Sequence, residues 1–421
     1  MPRQIVYDLT EMLLASTGKL RYYGIVRTVA ETAVELAKRN PDVRFCIFSV
    51  GHGRFFEVKP QIDDKGRVTF PVPEGVRQWR IRSVFHQRKP MRDVLAGPVR
   101  ALTNHLSRRA WRKARVDLPE IALDGAIFVS FGRPKLMVEQ MRACDARGWD
   151  VALVPLLHDM IPLHDFFTHA SRDFPSNFVN DNILLLKRAR LILTNSRFTR
   201  NELIAFAQKG HLPAIPPDKV RVVPLVHQCP DGIEPPEQPP PAEPYILTVG
   251  ATLGRKNLDA VFEAVKLLKT RGGPVPRIVV AGSRRHKTET RLEMDDMASI
   301  RDLVDFYHSP NQTDLVALYQ GAVALVMASR MEGWGLPAGE ALWLGTPAIC
   351  AEGPALREVA GDLGLYFDPD SAEQLADHIA RLMSDEDYAQ ALRARIAAAK
   401  GDLRTWDDVA RDLDGFLRDP A

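Results

Sequence analysis

The sequence has little cysteine and no long hydrophobic run. Its cysteines include no Cys-x-x-Cys pair, and no group of histidines lies near them in sequence. The four are Cys46, Cys144, Cys229 and Cys350. This spacing excludes a disulfide framework or a zinc site and suits a reducing compartment. The apolar stretch 151–157 is among the longest uninterrupted ones and is far too short to cross a bilayer. Since Met1 leads directly into a strand-like segment, we expect no signal peptide and a cytoplasmic protein.

A large excess of charge of one sign is also missing from the chain as a whole. The 421 residues carry 56 Lys and Arg against 53 Asp and Glu, a net charge of +3. Segment 77–115, however, holds 12 of these basic residues and one acid, so its own net charge is +11 and that of the remainder is −8. Trp79, Phe85 and Trp111 lie within the segment, but no nucleic-acid recognition motif accompanies them. Such a block indicates either a surface with its own partner or a solvated face.

Short β-branched runs alternate with helical patterns in both halves, which predicts βαβ units and parallel sheets. Strands are predicted at 4–8, 44–50, 126–130, 151–157, 190–194, 245–249, 277–281, 304–307, 322–327, 346–350 and 365–368. The proline-dense stretch 229–244 fits neither a helix nor a central strand and indicates an interdomain linker. We therefore predict two doubly wound α/β domains, 1–228 and 245–400, and a C-terminal helix within 403–421.

The candidate site lies in the segments that follow strands, because ligands bind at the carboxyl ends of the strands in such domains. After the strand at 322–327, Gly333 and Gly335 are combined with Pro337 and two acids, Glu332 and Glu340. The glycines let a phosphate approach backbone N–H groups, and proline suits the first position of a helix whose positive end faces the ligand. The acids suit hydrogen bonds from sugar hydroxyls. The alternative is an ordinary charge pattern at a helix start.

A second segment, 249–257, lies between a predicted strand and a helix predicted to begin at Lys256. Gly250 and Gly254 open its loop, and Arg255 and Lys256 stand at the helix start, where cations oppose the helix dipole unless an anion is near. With a diphosphate present, Arg255 offers a bidentate fork and Lys256 a point charge. A solvated basic turn is the alternative interpretation.

Two further candidates lie in the first half. His158 follows the strand at 151–157, where a histidine is either structural or part of a site. Gly24 and Arg27 stand where the loop after the first strand becomes a helix. Gly24 allows close approach of a phosphate or sugar and Arg27 faces an acceptor, or both belong to a simple helix start. Asp368 and Asp370 form the Asp-x-Asp pattern of metal-dependent sugar transferases, but their place between a strand and a helix indicates a turn or cap.

Together these segments resemble the retaining glycosyltransferase family 4, which has the GT-B fold. The resemblance extends over essentially all of 245–383 and is looser in the first half, where 24–27 resembles bacterial mannosyl- or rhamnosyltransferases of surface polysaccharides. The motifs that carry it are 254–257, 281–282, the segment from Glu332 to Glu340, 341–349 and 364–369, and in the first half 24–25, 158–159 and 194–199.

The resemblance implies two Rossmann-like domains facing a central cleft, with the nucleotide sugar held by the second domain. It assigns Arg255 and Lys256 to the donor diphosphate, Glu332 to the donor sugar and Glu340 to the ribose, and it places His158 near the donor sugar. The expected catalytic residues are therefore His158, Glu332, Arg255 and Lys256. The further donor-binding positions that it implies are Gly24, Gly250, Gly333, Trp334, Gly335 and Leu336.

No metal or other cofactor is expected, because Arg255, Lys256 and the helix dipole would neutralise the leaving diphosphate. Retention commonly uses a carboxylate nucleophile. Since no acid is an evident candidate, we favour a front-face mechanism in which the leaving phosphate helps to deprotonate the acceptor. We expect a hexose, mannose or a deoxyhexose, to pass from GDP-mannose or a related donor to a saccharide or polyprenyl-diphosphate-linked saccharide, and UDP- and dTDP-sugars stay open as donors. The alternatives are another GT-B enzyme, such as a sugar-nucleotide epimerase, and a non-catalytic protein that binds nucleotide sugars.

The basic segment 77–115 lies in the domain that faces the acceptor in this family. Part of it has apolar residues at helical spacing: Val94, Leu95, Val99, Leu102 and Leu106. It is either a solvated, arginine-rich face or a docking surface for an anionic membrane or a lipid-diphosphate-linked acceptor at the cytoplasmic face of the inner membrane. The residues expected to meet an acceptor or membrane are Arg27, Arg108, Arg109, Arg112 and Lys113. No nucleic-acid partner is expected.

Overall fold

The computed structural model of the protein describes residues 3–16, 24–82, 90–164, 174–230, 235–250 and 252–418. The chain divides into two compact units. The first comprises Met1–Pro224 together with Trp406–Ala421, and the second comprises Leu225–Thr405. The division falls just ahead of the boundary that the sequence predicts at 228. No helix of the described residues is long and apolar enough to cross a bilayer.

The first unit is built on a seven-stranded sheet and also contains a small two-stranded sheet. In chain order the strands are β1 (Ile5–Asp8), β2 (Arg44–Ser49), β3 (Arg54–Glu57), β4 (Gln61–Ile62), β5 (Val68–Thr69), β6 (Ile127–Ser130), β7 (Ala152–Leu157), β8 (Ile192–Thr194) and β9 (Val220–Val222). The sheet order is β3-β2-β1-β6-β7-β8-β9, in which β3 is antiparallel to β2 and the other pairs are parallel. The central strands are buried along almost their whole length, because the faces of a parallel sheet are both covered.

The helices of the first unit alternate with these strands. They are α1 (Thr10–Ala15), α2 (Ile25–Arg39), α3 (Pro90–Lys113), α4 (Pro134–Asp145), α5 (Phe174–Arg188) and α6 (Arg197–Gln208). Helix α4 begins with Pro134, which is favoured there because the first helical N–H has no partner within the helix. Ser196 caps α6 through its side chain, which accepts a hydrogen bond from the Thr199 N–H.

The second unit has a six-stranded parallel sheet. Its strands are β10 (Tyr245–Val249), β11 (Arg277–Gly282), β12 (Val304–His308), β13 (Ala324–Met327), β14 (Ala348–Ala351) and β15 (Leu365–Phe367). Its helices are α7 (Leu258–Arg271), α8 (His286–Leu292), α9 (Gln312–Gly321), α10 (Leu336–Trp343), α11 (Pro354–Ala360), α12 (Ala372–Ser384) and α13 (Glu386–Ala398). The order β12-β11-β10-β13-β14-β15 is that of a doubly wound nucleotide-binding sheet. The predicted fold class, two doubly wound α/β units, is confirmed.

The proline-rich stretch 229–244 was predicted as a linker, and residues 231–234 of it lie outside the described residues. Residues 235–244 have neither helix nor strand and pack on the second unit. The Tyr307 hydroxyl donates to the Pro239 carbonyl (2.8 Å), and the Gln238 N–H donates to the Asp314 carboxylate (3.0 Å). The last part of this stretch is therefore held against the second sheet.

The C-terminal helix α14 (Trp406–Arg418) packs on α2 in the first unit. The Arg39 guanidinium donates to both carboxylate oxygens of Asp407 (2.8 and 2.9 Å), and the Asn40 amide donates to Asp414 (2.7 Å). The chain thus returns to the first unit after completing the second.

Candidate functional site

The sheet of the second unit reverses its order between β10 and β13, and ligands of doubly wound folds bind at such a switch point. The loops that leave the carboxyl ends of these two strands are 250–257 and 328–335. They contain the two segments that the sequence singles out. Both segments therefore lie at one edge of one sheet.

The loop after β10 folds as a short 3-10 turn before α7 begins. The turn covers Gly254–Lys256, and α7 starts at Leu258, so the helix predicted to begin at Lys256 starts two residues later. A Cβ atom at Gly250 would lie 3.2 Å from Cε of Lys256, and Gly250 has φ +109°. The glycine thus lets the lysine stem fold back over the start of its own loop.

Arg255 and Lys256 both pair with Glu332, which comes from the loop after β13. The Lys256 ammonium lies 2.7 Å from one carboxylate oxygen of Glu332, and the Arg255 guanidinium lies 3.1 Å from the other. Arg255 also donates to the Met331 carbonyl (2.8 Å), and its own carbonyl accepts from the Arg330 N–H (2.9 Å). Two cations and one carboxylate are therefore held together by hydrogen bonds between the two loops.

The electrostatics of this cluster favour an ionised Glu332. Burial alone would raise the pKa of its carboxyl, but the charges of Lys256 and Arg255 outweigh burial and hold that pKa below its usual range. The three side chains together carry a net charge of +1 at neutral pH. An anion that enters the cluster meets two cations, and a hydroxyl group meets an adjacent acceptor oxygen.

Helix α10 begins beside this cluster. Its first residue is Leu336, with Pro337 next, as the sequence predicts for a helix start. Gly335 has φ +108°, and a Cβ atom there would lie 2.7 Å from Cδ2 of Leu356. The turn from Gly333 into the helix therefore needs glycine at 335 for both its backbone conformation and its space.

Glu340 lies in the second turn of α10 and is buried. The Tyr319 hydroxyl, from the last turn of α9, donates to its carboxylate at 2.7 Å. Tyr319 is itself fully buried. The sequence marked Glu340 but not Tyr319, because a tyrosine near a helix end has no distinctive spacing.

Trp334 is placed differently from what a donor-binding side chain requires. Its indole is buried, and its N–H donates to the Val226 carbonyl (3.1 Å). His227 packs beside the indole, with its Nε2 2.7 Å from the Val359 carbonyl, and burial lowers the pKa of this histidine. The Trp334 side chain therefore supports the loop from within, and only its backbone remains for a ligand.

In the first unit, the switch point lies between β1 and β6 and carries charged residues that sequence reasoning missed. Glu11 is buried, and its carboxylate accepts from the Arg133 backbone N–H (2.9 Å) and guanidinium (2.9 and 2.7 Å). Burial raises the pKa of Glu11, but Arg133 lowers it further than burial raises it. The sequence signal that could have revealed Glu11 and Arg133 is that each follows shortly after a buried strand.

His158 follows β7 in the same unit. Its Nε2 lies 2.7 Å from the Phe131 carbonyl. Burial lowers the pKa of the imidazole, and the hydrogen bond to Phe131 offsets only part of that effect, so the ring is neutral at pH 7. A neutral imidazole with Nε2–H donating to the carbonyl leaves Nδ1 as an acceptor.

The other residues that the sequence marks in the first unit lie at α2. Gly24 precedes α2 with φ +54°, and its carbonyl accepts from the Thr28 N–H (3.0 Å). Arg27 is only 2% exposed, with its guanidinium 5.8 Å from the centre of the Trp406 ring. The expectation that Arg27 meets an acceptor or a membrane is therefore wrong, because α14 covers this side of α2.

The other four basic residues predicted at an acceptor or membrane surface, Arg108, Arg109, Arg112 and Lys113, lie in the last turns of α3. Arg108 donates from Nε to the Gly51 carbonyl (2.6 Å), which ties it to the unit. Arg109, Arg112 and Lys113 are exposed.

The Asp-x-Asp pattern is a turn. The Asp368 carboxylate accepts from the Asp370 N–H (2.9 Å), and Asp370 pairs with Arg330 (2.5 Å). Among the described residues, no group of three or more His, Cys, Asp or Glu is arranged to hold a metal ion.

Comparison with known proteins identifies the family and the fold. Residues 232–399, which contain the Arg255–Lys256–Glu332 cluster, match the family described as Glycosyl transferases group 1. The O-antigen chain mannosyltransferase RfbU of Salmonella typhimurium is 30% identical over 250 residues, which are 54% of this chain and 67% of that protein. The chain belongs to the group 1 glycosyl transferases.

A second relative is the O-antigen chain mannosyltransferase B of Escherichia coli, which is 28% identical over 227 residues. The matched stretch is 51% of this glycosyl transferase and 57% of the relative, so little more than half of each chain is shared.

Solved structures match this glycosyl transferase over nearly its whole length. Sucrose-phosphate synthase from Thermosynechococcus elongatus has a TM-score of 0.63 at 16% identity and covers 99% of this chain and 98% of its own. Anabaena Alr3699/HepE in complex with UDP and glucose has a TM-score of 0.58 at 15% identity and covers 99% of both chains. The GT-B fold class that the sequence predicts, with two Rossmann-like domains, is confirmed.

Proposed function

We propose that this group 1 glycosyl transferase moves a hexosyl residue, mannose or a deoxyhexose, from a nucleotide diphosphate sugar to a saccharide or lipid-linked saccharide. The observation that carries the proposal is the cluster of Arg255, Lys256 and Glu332 at the switch point of the second sheet. Phosphoryl groups need paired cations and sugar hydroxyls need acceptor oxygens, and the cluster offers both within one set of contacts.

Departure of a nucleoside diphosphate is the step that these residues serve. Negative charge builds on the leaving diphosphate, and donors aimed at developing charge lower the barrier. Arg255 and Lys256 would turn from Glu332 to the diphosphate, and Glu332 would then accept from the hydroxyls of the donor sugar. Backbone N–H groups of the turn from Gly333 to Leu336 would add to this stabilisation.

We propose that the transfer retains the anomeric configuration and uses no metal ion. The two cations would supply the charge that a metal supplies elsewhere. A front-face route, in which the leaving phosphate accepts the proton of the acceptor hydroxyl, needs no protein nucleophile. Glu340, oriented by Tyr319 at 2.7 Å, would bind the ribose, and neutral His158 would lie near the donor sugar.

Mannose as the transferred sugar is supported by two relatives whose names are O-antigen chain mannosyltransferases. GDP-mannose or the nucleotide of a related deoxyhexose is therefore the proposed donor, and a growing surface polysaccharide the proposed acceptor. A polyprenyl-diphosphate carrier would place the reaction at the cytoplasmic face of the inner membrane, and we propose that location for the enzyme.

A thermal-shift screen of the full chain against GDP-, UDP- and dTDP-sugars tests the donor. A ligand that binds the folded state raises Tm by mass action, so the true donor should do so at millimolar concentration. Lys256→Met should abolish the shift, whereas Lys266→Met, on the neighbouring surface of α7, should preserve it. If no nucleotide sugar shifts Tm of the wild type, the donor site is not where we place it.

A further inference from the structure

Helix α3 lies against the first unit with a polar and aromatic face. Its buried members are Ala96, Ser107 about three turns later, and Trp111 about one turn after that. The Ser107 hydroxyl accepts from the Trp79 N–H (2.9 Å) and donates to the Trp79 carbonyl (3.1 Å), while the Trp111 ring lies 4.9 Å from that of Phe56. This face fixes how the helix is rotated on the unit.

The opposite side of α3 presents an apolar stripe to solvent. Its four members are Val94, Leu95, Val99 and Leu102, which are 77%, 54%, 40% and 58% exposed. They are four of the seven large hydrophobic side chains that are exposed in the described part of the protein. A surface helix ordinarily turns its apolar stripe to the core, and here the stripe is turned away from it. Contiguous exposed apolar patches mark interaction sites.

Basic side chains continue the same exposed side toward the end of the helix. At 100° per residue, Arg109, Arg112 and Lys113 project into the sector that the stripe occupies. All three are exposed, and none of their side chains forms a hydrogen bond or ion pair with another residue that the structure describes. The exposed side of α3 thus has an apolar half followed by a cationic half.

We propose that this side of α3, residues 94–113, docks on an anionic lipid bilayer with the helix axis in the plane of the membrane. The apolar half is about 12 Å long at the helical rise and would enter the boundary between headgroups and acyl chains. The cationic half would lie among anionic headgroups. Charge complementarity selects this occupant, because α3 of a second copy packed against this side, or an apolar protein groove, would leave the three cations without counter-charge.

The inference rests on the proposed function only for the reason why the protein would dock, which is that the membrane would carry a lipid-linked acceptor. Docking itself needs neither donor nor turnover. Failure of docking would therefore leave glycosyl transfer intact, and failure of transfer with intact docking would count against the proposed function only.

Sedimentation of the full chain with vesicles tests the proposal. The wild type should bind phosphatidylglycerol-containing vesicles, bind phosphatidylcholine vesicles far less, and dissociate as salt is raised. Leu95→Ser with Leu102→Ser should weaken binding at least about tenfold. Arg109→Gln with Arg112→Gln and Lys113→Gln should weaken binding to anionic vesicles on the order of a hundredfold. The control is Ile62→Ser, which changes a side chain 76% exposed outside α3 and should bind like the wild type.

All these positions are exposed, so each variant should keep the wild-type Tm, which circular dichroism checks. Equal binding to neutral and anionic vesicles, no binding to either, or wild-type binding by both α3 variants would overturn the proposal. The proposal would also be overturned if the lipid-free protein is a dimer in analytical ultracentrifugation and the variant Leu95→Ser with Leu102→Ser is a monomer. The apolar stripe would then be covered by a second copy of the chain.

Discussion

The contacts of Lys256 allow a quantitative prediction for Lys256→Met, a change that keeps the length of the side chain and removes its charge. The ammonium lies 2.7 Å from the Glu332 carboxylate. At an effective dielectric constant of about 20, that separation corresponds to a gross attraction of about 6 kcal/mol. Breaking a buried ion pair by removing one partner costs about 3–5 kcal/mol, because a charge is left behind. Arg255 stays 3.1 Å from the same carboxylate and offsets part of that cost.

We therefore expect Lys256→Met to lower the free energy of unfolding of the second unit by about 2–3 kcal/mol, which is a fall in Tm of roughly 4–12 °C for a unit of this size. Glu332→Gln added to Lys256→Met should restore most of the loss, because no uncompensated carboxylate then remains. The double variant should regain stability without regaining transfer.

Thermal unfolding of the wild type, both single variants and the double variant closes a double-mutant cycle on this pair. Lys266→Met is the matched control. Lys266 pairs with Glu263 (3.0 Å), whose side chain is 42% exposed and stays hydrated when the lysine charge is removed, so this change should alter stability by less than about 1 kcal/mol. The reasoning would be refuted if the double variant is no more stable than Lys256→Met, or if Lys256→Met is as stable as Lys266→Met. Either result would show that Lys256 and Glu332 do not form the ion pair in solution.

Three further predictions concern the same two units. Tyr319→Phe removes one hydrogen bond that orients Glu340, worth about 1 kcal/mol, and should therefore raise the KM for the donor roughly fivefold with kcat unchanged. A fall in kcat without a change in KM would contradict this prediction. Folding lowers the pKa of His158, so as pH falls the unfolded chain binds a proton on this imidazole before the folded chain does, and the free energy of unfolding decreases below about pH 6.5. His158→Gln should therefore make the free energy of unfolding less dependent on pH in this range. The same pH dependence in His158→Gln and the wild type would contradict a lowered pKa. Dialysis against EDTA should leave transfer at the wild-type rate, and loss of activity restored by a divalent cation would disprove metal independence.

All six strands of the second sheet and the five inner strands of the first could be predicted from the sequence to within about two residues at each end. Central parallel strands are covered on both faces and read as continuous apolar runs, which the sequence displays directly. The strands that sequence reasoning missed include β3 (Arg54–Glu57) and β9 (Val220–Val222), the two edges of the first sheet. Both are short and contain an arginine, Arg54 or Arg221, as edge strands often do.

The candidate site could be predicted in part. Arg255, Lys256 and Glu332 stand out because glycines and charges follow buried strands, and the structure brings these three together. Their mutual pairing could not be predicted, since it depends on how two loops distant in sequence meet. The burial of Trp334 and Arg27 was missed for the same reason, because the partners that cover them, Val226 and α14, are far away along the chain.

Release of nucleoside diphosphate from the donor found in the thermal-shift screen, measured side by side for the wild type, Lys256→Met and Glu332→Gln, tests the central claim most directly. We predict that Lys256→Met loses both binding of the free nucleoside diphosphate and turnover. Glu332→Gln should keep or tighten that binding, because its two cations are released, and should lose turnover. Turnover near the wild-type rate in both folded variants would contradict a donor site at this cluster.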